Sequence, residues 1–174
     1  AAGGLAVPPE AFAAAARAGK NLGFHVHLDG ARIFNAAVFC GTDVTSYTNE
    51  VDSVQFCLSK GLGAPLGSML CGSHEFILRA KRWRKLVGGG QRQVGIAAAA
   101  GVYALKNNVA RLAEDHKHAK LLAELLLESG IPVEQNPNMT NMVFFRLPDD
   151  DMPYEKFETF CRERGLLLDT MGAR

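Results

Sequence analysis

Cysteine is scarce in this chain and never paired: Cys40, Cys57, Cys71 and Cys161 stand alone, with no C-x-x-C spacing among the 174 residues. Isolated thiols in or beside apolar runs read as reduced, packed side chains of a cytosolic-type protein, not as a disulfide framework or metal site. Net charge is close to absent, +1 at pH 7. That removes any charge argument for nucleic acid or an acidic membrane as a partner. No apolar run is long enough to span a bilayer, and the alanine-rich stretch from Ala11 to Ala18 is broken by Arg17. A basic leader is lacking as well, so no signal peptide is expected and the cytoplasm is the expected compartment. Metal-ligand spacing is also missing. His25 and His27 fall on one face of a strand-like run without a third ligand, and His116 and His118, two apart on a helix, point differently.

What the chain does have is apolar content, 48% of its residues, enough for one good core or a core with a small satellite domain. Pro8-Pro9-Glu10 starts an alanine-rich helix over 10–18 that Gly19 can end. LGFHVHLD, residues 22–29, alternates and reads as a strand ending at Asp29. From Gly30 the apolar spacing becomes helical through Ile33, Phe34, Ala37 and Val38, with Gly41 as the stop. A turn-rich stretch over 42–49 precedes a second strand, VDSVQFCL at 51–58, and a third covers 68–71. Ser73 caps a helix running to Leu86, with Glu75 in its first turn, and Gly88-Gly89-Gly90 breaks it.

Beyond that loop, 95–105 reads as a small-residue helix and 109–128 as an amphipathic one carrying Leu112, Leu121, Leu122, Leu125 and Leu126. Gly130 and Pro132 close it. A strand over 142–147, a helix over 154–164 and a strand over 166–168 make a compact αβ tail. The domain boundary is placed at Lys106-Asn107-Asn108, giving units 1–108 and 109–174. The chain starts at Ala1 and stops at Arg174 directly after the strand-like run to Asp169, so both ends are expected to be cut inside the fold.

Two polar residues stand at the ends of neighbouring strands, separated by about one strand, crossover helix and strand. Asp29 lies where open α/β sheets bind ligands. By itself it reads as a helix cap. Lys60, in SKGLGAPLGS at 59–68, has glycines behind it that leave room around the amine. Alone it reads as a solvated lysine in a turn, but desolvated it becomes a nucleophile able to form a Schiff base. Together, a carboxylate and an amine in one crevice are what a pyridoxal phosphate enzyme needs. The glycines do not form a nucleotide loop, since no Gly-Lys-Ser/Thr ends the run and the dinucleotide fingerprint's third glycine falls one residue early. Arg32, on the first turn after Asp29, suits bidentate carboxylate binding or simple solvation. Arg92, after three glycines, suits a phosphate or loop solvation. The basic run Arg79, Lys81, Arg82, Arg84 and Lys85 is interleaved with Ile77, Leu78, Trp83 and Leu86, and reads as a solvated helix flank.

In order and spacing, HLDGAR at 27–32, SKGLGAPLGS at 59–68 and GGGQRQ at 88–93 resemble the low-specificity L-threonine aldolases, fold-type-I pyridoxal phosphate enzymes. The resemblance covers nearly the whole chain, in most detail over 22–100. It implies an α/β fold, a partial aspartate aminotransferase-like large domain with a smaller C-terminal αβ domain. It implies that Lys60 is the Schiff-base lysine, Asp29 the partner of the pyridine nitrogen and Arg32 a contact to the substrate carboxylate beside the cofactor. Arg92 becomes the arginine that reaches cofactor phosphate across a dimer interface, and Ser59 a support for the cofactor.

The implied activity is aldol cleavage of L-threonine or L-allo-threonine to glycine and acetaldehyde, in a homodimer or homotetramer, without nucleic acid or membrane. In that family the phosphate-binding glycine and hydroxyl residues, and the histidine stacked on the ring, come from a segment N-terminal to Ala1. A further carboxylate-binding arginine lies about where Arg174 stands. The chain is therefore expected to be a fragment or splice form with incomplete machinery. The alternatives are another fold-type-I lyase acting at Cβ, or a truncated product without catalysis.

Overall fold

The computed structural model describes residues 2–147 and 153–168. A short 3-10 turn over Ala2–Gly4 leads to α1 (Pro9–Asn21), β1 (His27–Asp29), α2 (Ile33–Cys40), α3 (Thr45–Thr48), β2 (Ser53–Cys57) and β3 (Ser68–Gly72). The helices α4 (His74–Leu86), α5 (Gly95–Asn107), α6 (Leu112–Glu128) and α7 (Tyr154–Arg162) follow. β2 is the middle strand of a three-stranded sheet, parallel to β1 and antiparallel to β3. Parallel neighbours need a crossover, and α2 with α3 supplies it. Among the described residues no helix is long and apolar enough to cross a membrane.

The core lies where α2 packs on the sheet. Ile33, Ala37, Tyr47 and Val54 form one buried cluster, and Leu58, Leu62, Ala64, Ala104 and Leu112 a second. Phe34 and Phe56 pack against both, edge to face with ring centres 5.3 Å apart, and so join the clusters into one apolar body. Leu112 reaches this body from α6, tying the segment after Asn108 to the sheet-bearing part of the chain.

Several expected boundaries move. α1 runs past Gly19 to Asn21, because the turn is made by Gly23 at φ 82°. β1 holds only three residues of the expected eight. Its ladder starts at His27 opposite Ser53, and Val26 is instead tied to Asp52, donating to the carboxylate at 2.7 Å and accepting from the Asp52 N–H at 2.9 Å. The run over 142–147 is not a strand but a single bridge between Val133 and Phe145. Arg146 N–H donates to the Pro132 carbonyl, and Pro132 has no N–H to return, so the ladder stops there. Residues 166–168 form no strand either. Asp169 and Arg174 lie outside the described residues.

The α4 cap is as expected: Ser73 Oγ accepts from Phe76 N–H at 3.3 Å. Of its apolar positions Phe76 packs beside Gly72 of β3 and Ile77 is half-buried, but Leu78, Trp83 and Leu86 are exposed. The leucine face of α6 behaves alike, with Leu121, Leu122 and Leu125 about half exposed and Leu112 alone in the core.

Candidate functional site

A cleft of about 330 Å³ opens at the C-terminal end of β1. Asp29, Gly30, Ala31 and Arg32 form its floor, Lys60 enters from the turn after β2, and Ile33, Asn35 and Ala36 of α2 line one side. The other side is made by two segments distant in sequence, Gly4 to Val7 and Thr140. They are stitched together where Ala6 N–H donates to Asn138 O at 2.8 Å and Thr140 Oγ1 donates to Gly4 O at 2.5 Å. Tyr47 closes the far end, its hydroxyl donating to Val7 O at 2.7 Å. Burial holds that phenol protonated, well above its ordinary range.

Asp29 is not the helix cap it resembles in sequence. Its Oδ1 accepts from Ala31 N–H at 3.1 Å, closing a tight turn over Gly30, and α2 begins only at Ile33. The expected helix start at Gly30 is thus three residues early, and Arg32 precedes the first helical turn with φ −127°. Gly30 is required here by close approach. A Cβ at this position would sit 3.0 Å from Gln55 O and 3.1 Å from Ile33 Cβ, and Gly30 N–H donates to that same carbonyl at 2.8 Å.

A second donor reaches Asp29. The side chain of Gln55, its partner in the β1–β2 register, donates through Nε2 to Oδ1 in a short contact. Both hydrogen bonds fall on Oδ1, and among the described residues no donor reaches Oδ2. Arg32 Nε is buried and finds no acceptor among the described residues. A buried guanidinium nitrogen without a partner at the edge of a cleft is suited to an anionic ligand.

Lys60 is exposed at the cleft on a turn that is itself held firmly. Leu58 N–H donates to Gly67 O, Ala64 N–H to Leu58 O and Gly63 N–H to Lys60 O, all within 3.0 Å. Leu62 and Ala64 are buried in the core on either side of Gly63, so the turn is anchored by packing as well. Gly61 fits between Asn35 and Leu112, where an added Cβ would lie 2.7 Å from Leu112 Cδ2.

Of the residues singled out in sequence, Asp29, Arg32 and Lys60 meet in this cleft. Arg92 does not line it; it is exposed on the loop between α4 and α5, beside Gln93 at φ 53°. Ser59 is exposed and also outside the lining. His25 is exposed within 4.0 Å of Asp52, and His27 Nδ1 shares a 2.8 Å hydrogen bond with Ser53 Oγ. Neither lines the cleft. Among the described residues no three His, Cys, Asp or Glu side chains gather to hold a metal ion.

The residues that sequence reasoning missed are Gln55, Asn35, Tyr47 and Thr140. Asn35 is buried and its Nδ2 lies 3.3 Å from His116 Nε2 of α6. Burial lowers the pKa of that imidazole, with Asp115 opposing the shift in part.

The family described as Beta-eliminating lyase matches residues 1–149. A protein of Escherichia coli strain K12 named low specificity L-threonine aldolase is 54% identical over 132 residues, covering 76% of this chain and 38% of that protein. Low-specificity L-threonine aldolase 1 of Arabidopsis thaliana is 47% identical over 151 residues, covering 86% of this chain and 42% of that protein. The chain therefore spans about two fifths of the length of these relatives. Among solved structures, a Listeria monocytogenes protein provisionally named L-allo-threonine aldolase superposes with a TM-score of 0.75 at 25% identity, covering 94% of this chain and 46% of that one.

Proposed function

This chain belongs to the beta-eliminating lyase family, with the α/β, fold-type-I arrangement of its threonine aldolase relatives, and we propose that it carries part of a pyridoxal phosphate-dependent aldolase site. The substrate is a β-hydroxy amino acid, threonine or allo-threonine, cleaved between Cα and Cβ to glycine and acetaldehyde. One observation carries the proposal: the turn bearing Asp29 and Arg32 and the separate turn bearing Lys60, 31 residues after Asp29 in the chain, converge on a single cleft.

The donor set fits the cofactor. Lys60 brings an exposed primary amine to the cleft on a fixed turn, where it is placed to join the cofactor aldehyde. Asp29 Oδ2 is left without a donor and is suited to an N–H cation such as a pyridinium. When bound, the cofactor supplies an electron sink for the pair left on Cα as the Cα–Cβ bond breaks. Asp29 stabilises the protonated ring nitrogen by its charge. Arg32 offers its unpartnered guanidinium to the amino acid carboxylate, and by fixing that group selects which Cα bond is oriented for cleavage. Arg92 of a second copy would help to hold the phosphate. The working form is a cytoplasmic homo-oligomer.

The test is direct. The chain is incubated with pyridoxal phosphate, reduced with borohydride, digested and analysed by mass spectrometry. A covalent adduct on Lys60, lost in Lys60→Ala together with visible absorbance, is the expected result. An adduct spread over surface lysines, or one that survives in Lys60→Ala, rejects the assignment. Product analysis with threonine separates aldol cleavage from β-elimination, which would yield ammonia and a keto acid.

A further inference from the structure

Gln55 grips the Asp29 turn twice. Its side-chain amide donates through Nε2 to Asp29 Oδ1, and its main-chain carbonyl accepts from Gly30 N–H at 2.8 Å. The two residues are register partners of the parallel β1–β2 pair, so the contact is fixed by the sheet. We propose that Gln55 is the positioning residue of the Asp29 carboxylate, locking it so that Oδ2 alone is offered to the cleft. This rests on the reading of Asp29 as the partner of the pyridine nitrogen.

The geometry makes the role specific. A carboxylate on an exposed strand end turns freely about its last two side-chain torsions, and one hydrogen bond from Ala31 N–H leaves it able to swing. A second donor on the same oxygen, arriving from the neighbouring strand, fixes the plane of the group. Gln55 is half-buried and carries no charge, so it orders the carboxylate without neutralising it. A lysine or arginine at this place would compete with the ring nitrogen for the same anion. Gln55 thus supplies order while leaving the negative charge for the ligand.

The experiment has one arm without cofactor and one with it. In the cofactor-free chain, the Gln55 side-chain amide resonances should move in Asp29→Ala, because they lose their acceptor; unchanged resonances would overturn the contact itself. With pyridoxal phosphate as the titrant, Gln55→Leu, close in size but without a donor, should weaken binding about tenfold. It should also displace the visible absorbance maximum of the bound cofactor. The same substitution in an Asp29→Asn background should change binding by less than about twofold, since its effect passes through the carboxylate. An equal loss in both backgrounds marks Gln55 as merely structural and overturns the proposal. If the unmodified chain forms no adduct at Lys60, the wider functional reading fails, whereas the cofactor-free arm still decides whether Gln55 holds Asp29.

Discussion

Asn108 donates through Nδ2 to the carbonyl of Leu62 at 2.7 Å, so the junction of α5 and α6 is bonded to the turn that presents Lys60. Leu62 is in the core, and its carbonyl would be half-desolvated without this partner. Asn108→Ala should therefore lower stability by about 1–2 kcal/mol, the cost of leaving a buried acceptor unpaired. Urea denaturation followed by circular dichroism measures this. The Lys60 turn should also become more susceptible to limited proteolysis; an unchanged midpoint and cleavage pattern would show that the turn holds itself.

Gly61 tests the same anchoring from the packing side. A methyl at this position meets Leu112 Cδ2 at 2.7 Å, and Leu112, 1% exposed, is enclosed and cannot swing away. Overpacking of this kind costs about 1–3 kcal/mol. Gly61→Ala should destabilise by that amount, and Leu112→Val, which shortens the obstructing side chain, should restore part of the loss in the double variant. Strict additivity of the two losses would argue against the contact.

His116 gives the fold a dependence on pH. Burial holds its pKa below the ordinary value of 6.5, so in acid the unfolded chain binds a proton that the folded chain resists. Stability from this group is complete above 6.5 and falls as pH drops through 6.5 toward the lower folded value. Protonation would also set an N–H against the Asn35 amide nitrogen at 3.3 Å, so keeping this contact between α2 and α6 would require the amide to turn its oxygen to the ring. His116→Gln, which keeps an acceptor and cannot titrate, should flatten the loss of stability between pH 7 and 5 in denaturant midpoints measured across that range. An identical slope in the variant would assign the acid sensitivity to other groups.

Local chemistry made half of this site readable. Asp29 and Lys60 mark strand ends because the residues before them are β-formers and those after them are glycines, and Ser73 with Glu75 announces α4 through its cap. Gln55 and Asn35 could not be found in this way. Their partners lie 26 and 81 residues off, and nothing in the composition around either residue carries that information. Register would have placed Gln55 beside Asp29, but only once the starts of both strands were known, and the β1 start was misplaced by five residues. The leucines of α6 mislead for a related reason. Helical spacing reports that a face is apolar, not that anything covers it, and Leu121, Leu122 and Leu125 remain about half exposed.

Arg32 provides the sharpest test of ligand chemistry in the cleft. Its Nε is buried and unpartnered among the described residues, which is costly unless an acceptor arrives with the ligand. A carboxylate satisfies a guanidinium in a two-bonded fork that an ammonium cannot reproduce. In the chain loaded with pyridoxal phosphate, Arg32→Lys should therefore weaken glycine or threonine binding at least about tenfold, the equivalent of one charged hydrogen bond. Affinity for the cofactor itself should hardly change, since Lys60 and Asp29 are untouched. Difference absorbance spectra recorded during amino acid titration read both quantities. Equal weakening of cofactor and amino acid would place Arg32 on the cofactor and not on the substrate carboxylate. Apo-protein stability supplies the complementary sign: Arg32→Met removes the unpaired nitrogen while keeping the apolar stem, and should leave the denaturation midpoint unchanged or raised even as amino acid binding is lost.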